Sequence, residues 1–350
     1  MTKPILVRHE EPLAGGIHRI VLDRPEARNA ISREVLAQLD DRLDEILALA
    51  SVMPSGWATP PRRASLTPSE AHQDANGSSK VSPPTSSSAS RSTSPSSHHT
   101  STGSSKDPAS TIRSSQAKEP LRCVIIESSS TNAFCAGADL IERKSMSEQE
   151  VVSFLSDLRR IFDKIFDKLA AFPVPTIAAI DGPALGGGLE LSLACDFRIA
   201  SPSVDKLGFP EVQLGIIPGA GGTQRAPRLI GLARAKELIY TGRLIDAETA
   251  KSWGLIDYLA DEGQTAAQRA LALAQRMAKS GPVQPKTARI PTAPLALASA
   301  KMAISHGLDF ELEDALQWER MCYEKLLPTQ DRREALLAFA AKRKPNFVGK

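Results

Sequence analysis

Two glutamates, each beside a glycine-bearing turn, are the residues of this chain best suited to acid–base chemistry. Glu190 ends the run Ala184-Leu-Gly-Gly-Gly-Leu-Glu190 and is flanked by Leu189 and Leu191, an apolar setting for a carboxyl. Glu211 closes Gly208-Phe-Pro-Glu211. Glycines 186–188 lack a Cβ, so their backbone N–H groups can approach a ligand closely. Leu189 and Leu193 have helical spacing, and a helix start adds unpaired donors and a positive dipole end. The pattern is an oxyanion trap beside an acid. Taken singly, each part has a blander reading: a helix residue, a turn acid, and glycines that allow close helix packing.

Other chemistries lack their residues. The chain has no HExxH pair and no Cys/His cluster for a metal. It has no Lys-Ser/Thr after its glycines for a phosphate loop, and no GxSxG nucleophile turn. His98 and His99 fall in a Ser/Pro-rich tract that offers no fixed frame for a metal, so no metal site is expected.

Elements that could position the glutamates are legible on either side. Residues 16–22 read as a strand, with 5–9 as its neighbour. From Ser32, a plausible N-cap, the apolar positions Val35, Leu36, Leu39, Leu43, Ile46 and Leu47 recur at helical spacing. Residues 121–127 read as a strand and 151–169 as an amphipathic helix, stopped by Pro173 and Pro175. Strands follow at 176–180 and 197–200, a glycine-rich loop at 215–225, and helices at 231–240 and 246–253. A short strand at 255–259 precedes a helix at 266–279. The remainder reads as helices broken near Pro328. Strands alternating with helices predict an α/β fold.

Residues 53–119 are dominated by Ser, Pro, Thr and Gly and bury too little apolar surface to offset their ordering entropy. They are predicted to be a disordered insertion. A shorter loop insertion is expected at 284–294. The predicted organisation is therefore 1–52 and 120–283 as one core, with 295–350 as a C-terminal helical region.

Four ordered motifs carry a resemblance. Phe134-Cys-Ala-Gly-Ala-Asp139, Ala184-Leu-Gly-Gly-Gly-Leu-Glu190, Gly208-Phe-Pro-Glu211 and Ile217-Pro-Gly-Ala-Gly-Gly-Thr-Gln-Arg225 together resemble the crotonase superfamily, the enoyl-CoA hydratases and isomerases. The resemblance spans about residues 16–49 and 121–344. Residues 134–143 followed by Met146, and 173–198, are most similar to the 3-methylglutaconyl-CoA hydratases.

The resemblance implies a spiral of ββα units with C-terminal helices that pack between subunits, giving a homotrimer or a hexamer. It implies an oxyanion hole made by the N–H groups of Ala138 and Gly187, and a catalytic pair Glu190 and Glu211, with Glu190 as base and Glu211 as acid. It also implies contacts to the CoA ester from Ala136, Ala138, Asp139, Leu140, Gly187, Gly219, Tyr323 and Lys342. Asp139 is expected to cap the helix after the oxyanion loop, and Cys135 to be a buried, inert thiol. No cofactor is expected, since coenzyme A is part of the substrate. The implied reaction is hydration of a short, branched enoyl-CoA such as 3-methylglutaconyl-CoA, in leucine breakdown. Run in reverse on 3-hydroxy-3-methylglutaryl-CoA, it would serve biosynthesis of a secondary metabolite.

Two alternatives are weighed. A Δ3,Δ2-enoyl-CoA isomerase usually manages with the second acid alone, so the presence of both favours water addition. An RNA-binding or non-enzymatic crotonase-like module is the reading from another class. RNA-binding relatives carry Lys at three successive turns of the first helix, where this chain has Arg33, Ala37 and Asp41, so RNA is disfavoured. Forty-three basic against 40 acidic residues, net +3, give no prior for nucleic acid or membrane. The four cysteines form no CxxC pair, which points to a reducing compartment. The cytosol is expected, with mitochondrion and peroxisome as alternatives, because no transit-like N-terminus or Ser-Lys-Leu C-terminus is present.

Overall fold

The computed structural model describes residues 4–49, 121–139, 148–278 and 292–350. The expectation for 53–119, and that for 284–291, lie outside the described residues.

The central sheet has six strands in the order β1 (Val7–Leu13), β2 (Ile17–Leu22), β3 (Cys123–Ser128), β4 (Thr176–Ile180), β6 (Phe197–Ala200) and β9 (Tyr258–Leu259). β1 pairs antiparallel with β2, and every other neighbour is parallel. Parallel strands covered on both faces read as continuous apolar runs, and β3 and β4 do. The pleat sends Val124 and Ile126 to one face and Cys123 and Ile125 to the other. The first face packs against α1 (Arg33–Leu49), α2 (Glu148–Ala170) and α3 (Gly187–Leu193) through residues such as Leu36, Leu43, Phe166 and Leu189. Ile125, Ile177 and Ile199 on the second face meet Ala270 and Ala274 of a later helix (Ala266–Met277).

Ser32 takes its expected place at the head of α1, its Oγ accepting from Val35 N at 3.2 Å. A second sheet of two-residue strands, β5 (Ala184–Leu185), β7 (Leu207–Gly208) and β8 (Leu244–Ile245), was not foreseen, since two residues carry no period to read. A 3-10 turn (Pro210–Leu214) precedes the loop expected at 215–225, which turns helical within its own bounds, with α4 at Gly222–Ile230. Its glycine-rich start and internal Pro227 hid that helix, and the burial of Ala226 and Ile230 stabilises it. α5 (Leu232–Thr241), α6 (Ala247–Trp253) and α7 (Ala266–Met277) follow.

Three helices complete the chain: α8 (Pro294–Gly307), α9 (Leu312–Glu324) and α10 (Gln330–Ala340). Pro294, placed in a loop by sequence, is the first residue of α8, where its missing N–H costs nothing. Pro328 falls between α9 and α10 as expected, but a further break follows Gly307. Trp318 closes α9 onto α8, donating from Nε1 to Met302 O at 3.1 Å. Lys301 of α8 reaches the sheet, its Nζ 2.7 Å from Asp196 Oδ2 and 3.1 Å from Val174 O. No helix among the described residues is long and apolar enough to cross a membrane.

Candidate active site

The first loop to place is 24–31. Asn29 is buried at φ 53°, and its Nδ2 donates to Ser128 Oγ, Ala133 O and Phe134 O at 2.8, 3.3 and 3.0 Å. Alongside it, Ala136 N donates to Arg28 O, Ile31 N to Gly137 O, and Asp139 N to Ile31 O. The last two bonds straddle Ala138, forming a parallel bridge from Ile31. In that pattern the Ala138 N–H must face away from Ile31.

It faces the glycine turn. A β-carbon built on Gly187 would lie 3.8 Å from Ala138 N, and one built on Gly137 3.3 Å from Gly187 N. Gly187 opens α3, so its amide is one of the helix's unpaired donors. Among the described residues neither amide has an acceptor. Two unfilled donors converge beside a short helix start.

One carboxyl comes from α3 itself and the other from a further element. Glu190, in the first turn of α3, is buried, and its Oε1 accepts from Ala220 N at 2.8 Å and Gly222 N at 2.7 Å. Burial dominates and leaves its pKa raised, the Gly222 and Ala220 amides and the charge of Arg225 offsetting part of the rise. Glu211 heads the 3-10 turn, and its Oε2 is buried with no hydrogen-bond partner among the described residues. Burial pushes its carboxyl up to about 7, a bond from its own backbone amide offsets part of that, and the Glu190 charge adds to the rise. Gly186 is what lets Glu211 come close to the glycine turn. It sits at φ 50°, and a Cβ there would come within 2.7 Å of Glu211 Oε1.

The result is two convergent amide donors that suit a developing oxyanion, and two carboxyls in unequal environments. One is gripped by backbone donors and feels the charge of a nearby cation. The other keeps one buried oxygen without a partner among the described residues and holds its proton to near neutrality. Cys135 is buried, and burial pushes its thiol up to about 12, consistent with an inert role.

The remaining candidate positions are placed as follows. Ala136 and Ala138 line the oxyanion loop and are half-buried. The cap expected of Asp139 falls on residues 140–147, outside the described residues; the Asp139 Oδ2 accepts from Arg24 Nη1 at 2.6 Å. Leu140 lies outside the described residues. Gly219 is exposed, one residue before the Ala220 amide that holds Glu190. Tyr323 in α9 and Lys342 just beyond α10 are exposed and share no hydrogen bond or ion pair with the two glutamates. Sequence reasoning missed Arg24, Asn29 and the Ala220 and Gly222 amides. The positive-φ glycine in the Gly219–Gly222 turn was the available signal for the last two.

A cavity of about 450 Å³ lies elsewhere, lined by Arg8, Glu10, Arg19, Glu127, Asp181 and Gln268 among others. It contains none of the site residues, and its charges are already matched, with Arg19 Nε 2.7 Å from Glu127 Oε1. No cluster of three metal-ligating side chains occurs among the described residues.

Residues 108–350 match the enoyl-CoA hydratase/isomerase family. The chain is 46% identical over 335 residues to the enoyl-CoA isomerase/hydratase fer4 of Mycosarcoma maydis, covering 96% of this chain and 93% of that protein. It is also 46% identical to the mitochondrial methylglutaconyl-CoA hydratase of Homo sapiens, over 67% of this chain and 65% of that one. Among solved structures, an enoyl-CoA hydratase from Bacillus anthracis superposes with a TM-score of 0.69 at 32% identity, covering 99% of this chain and all of that one.

Proposed function

The chain belongs to the enoyl-CoA hydratase/isomerase family of enzymes, and from that premise we propose that it adds water across the Cα–Cβ double bond of a short enoyl-CoA. The observation that carries this reading is the inequality of the two carboxyls. Glu190, gripped on one oxygen and within the field of Arg225, suits a base. Glu211, with a pKa of about 7 and an oxygen without a partner, suits an acid.

In the proposed reaction Glu190 takes a proton from water as the hydroxyl bonds to Cβ. Electrons move through the conjugated thioester onto its carbonyl oxygen, where the Ala138 and Gly187 amides receive the charge. Each donor would supply about 3–4 kcal/mol of transition-state stabilisation. Glu211 delivers its proton to Cα, and one proton then passes from Glu190 to Glu211 to reset the pair. The reverse sequence removes water. No cofactor takes part, coenzyme A being carried on the substrate, with Leu140, Tyr323 and Lys342 assigned to its contacts.

Similarity to a methylglutaconyl-CoA hydratase supports a branched substrate of the 3-methylglutaconyl-CoA type. Direction, and so breakdown or biosynthesis, follows metabolite supply. The cytosol, the mitochondrion and the peroxisome remain the assigned alternatives, and mitochondrial relatives support the second. The exposed apolar residues of the C-terminal helices, Leu312, Leu336, Leu337 and Phe339 among them, support a trimer or hexamer that covers them.

The test is a panel of linear and branched enoyl-CoAs, followed in both directions by the absorbance of the conjugated thioester. Rapid hydration with a preference for branched acyl groups is expected. Conversion of a β,γ-enoyl-CoA without water addition would replace this reading with the isomerase. No turnover of any thioester would favour a binding module.

A further inference from the structure

A buried carboxylate used as a base has to stay both ionised and aimed. Both amides that hold Glu190 come from one short turn, Ala220 to Gly222, and small residues supply no side-chain anchor of their own. Arg225, in the first turn of α4, closes on that turn from its other side. Its Nη1 donates to Ala220 O at 3.1 Å, and its backbone N donates to Gly221 O at 2.7 Å. Gly221 lies at φ 98°, and a β-carbon there would come within 2.2 Å of Arg225 Nη1. The guanidinium thus rests against a bare α-carbon, which only glycine provides. Its outer Nη2 meets Asp167 Oδ1 of α2 at 3.3 Å. The two polar ends of Ala220 are therefore used in series, its N–H by Glu190 and its carbonyl by Arg225.

We infer that Arg225 is a positioning residue for the reaction: it clamps the 220–222 turn so that both amides meet Glu190, and its charge favours the carboxylate form of that base. The inference rests on the hydration reading for its catalytic meaning. The other elements packed on α3 bring no rival cation. β5 carries no ionisable side chain, and Arg198 of β6 is engaged by Asp257 at 2.6 Å and by Cys195 O, past the far end of α3, at 2.8 Å. Cys135, beside Gly188, is a neutral thiol, and Glu211 contributes the opposing charge when it ionises. The direction of the Arg225 effect on Glu190 agrees with this geometry.

The test uses the full chain with R225Q, which removes the charge but retains an amide donor, and R225K, which keeps the charge. Glu190 is titrated by carboxyl-carbon NMR on glutamate-labelled protein, its signal assigned by its loss in E190Q. Kinetics on crotonyl-CoA are measured in parallel. R225Q should raise the Glu190 midpoint and move the acid limb of the kcat profile upward, since a base is lost when protonated. Its kcat should fall about 10- to 100-fold with KM within about threefold. R225K should keep the wild-type midpoint and recover kcat to within about threefold of wild type.

An unmoved midpoint in R225Q overturns the inference, as does a kcat within about twofold of wild type. So does a kcat and midpoint in R225K as altered as in R225Q, the result a plain staple between α2 and α4 would give. Should R225Q fail to fold, R225K decides alone: a displaced midpoint or a loss above about tenfold overturns the inference. If wild type turns over no enoyl-CoA, the hydration reading falls, while the NMR midpoints still judge Arg225.

Discussion

Three carboxyl residues within sixteen positions, Asp181, Glu190 and Asp196, meet very different surroundings. Asp181 spends its two oxygens on Ala266 N and Ala267 N at 2.6 and 3.1 Å, capping α7. Asp196 Oδ2 accepts from Thr176 N, Thr176 Oγ1 and Lys301 Nζ at 2.7, 2.9 and 2.7 Å, tying α8 to the sheet. At the candidate site, both bonds to Glu190 fall on Oε1, and Glu211 keeps a buried oxygen with no partner among the described residues. Leaving a buried polar atom unsatisfied costs about 1–3 kcal/mol. A scaffold does not retain that cost without a use for the free lone pair. Among these carboxyls it is the buried, unpartnered oxygen of Glu211 that stands apart, since Glu190 has two partners as Asp181 does.

The sharpest way to break the comparison is to neutralise one carboxyl of each kind. Glu190→Gln should lower hydration about 10²–10⁴-fold while binding of the CoA ester stays within a few-fold, because the amide cannot take a proton from water. Asp181→Asn should leave kcat near wild type and lower Tm, since it weakens only the cap on α7. Steady-state kinetics beside a thermal melt read both. Equal kinetic damage in the two variants would remove the distinction.

The oxyanion side is tested by crowding it. A β-carbon on Gly188 would stand 2.2 Å from Cys135 O, so Gly188→Ala must push α3 away from the loop that carries Ala138. The two amides then part, and kcat should fall about 10²–10³-fold, with a drop in Tm from the same clash. A variant that keeps full kcat would show that Ala138 and Gly187 do not act as a pair.

Much of this was readable before any coordinates. The long periodic runs gave α1, α2 and α7, and the apolar runs at 121–127 and 176–180 gave the central strands, because burial of a face repeats at the period of the element. Glu190 and Glu211 were readable because a charged residue among glycines and leucines needs a reason. What holds Glu190 was not readable. Ala220 and Gly222 act through backbone N–H groups that any residue carries, and only the fold aims them. Asn29 and Arg24 reach partners about a hundred positions away, so no local pattern announces them. Two-residue strands and a helix that starts on glycine and contains Pro227 lie below what periodicity can detect.

Glu211 supplies a pH-dependent version of the comparison. Its carboxyl titrates near 7 in the fold against the usual 4.5, so the folded chain binds that proton more tightly than the unfolded one. Stability contributed by this group is therefore fully kept below 4.5 and declines as pH rises through 7, the reverse of a salt-bridged carboxylate. Glu211→Gln should abolish most activity yet stabilise the fold above pH 7, by about 3 kcal/mol at most. The gain should vanish near pH 4.5, and denaturant melts across that range read it. In the wild type, kcat should fall as pH rises through about 7, as the acid loses its proton. A Gln variant less stable than wild type at high pH would mean that Glu211 has partners after all.

The smallest effect belongs to the filled carboxylate. Lys301 is nearly buried, and Lys301→Met removes one of three donors to Asp196 Oδ2 while keeping most of the side chain's apolar stem in place. The two Thr176 donors remain, and Asp196 is about a fifth exposed, so water replaces part of what is lost. The expected cost is about 1–2 kcal/mol, read as a lower denaturant midpoint with kcat on crotonyl-CoA unchanged within about twofold. The lost bond lies where α8 meets the sheet, so protease sensitivity should rise first in the C-terminal helices. A large kinetic effect instead would show that the seating of α8 reaches the two amides or the two acids, and that Asp196 is coupled to the site through α3, at whose end it lies.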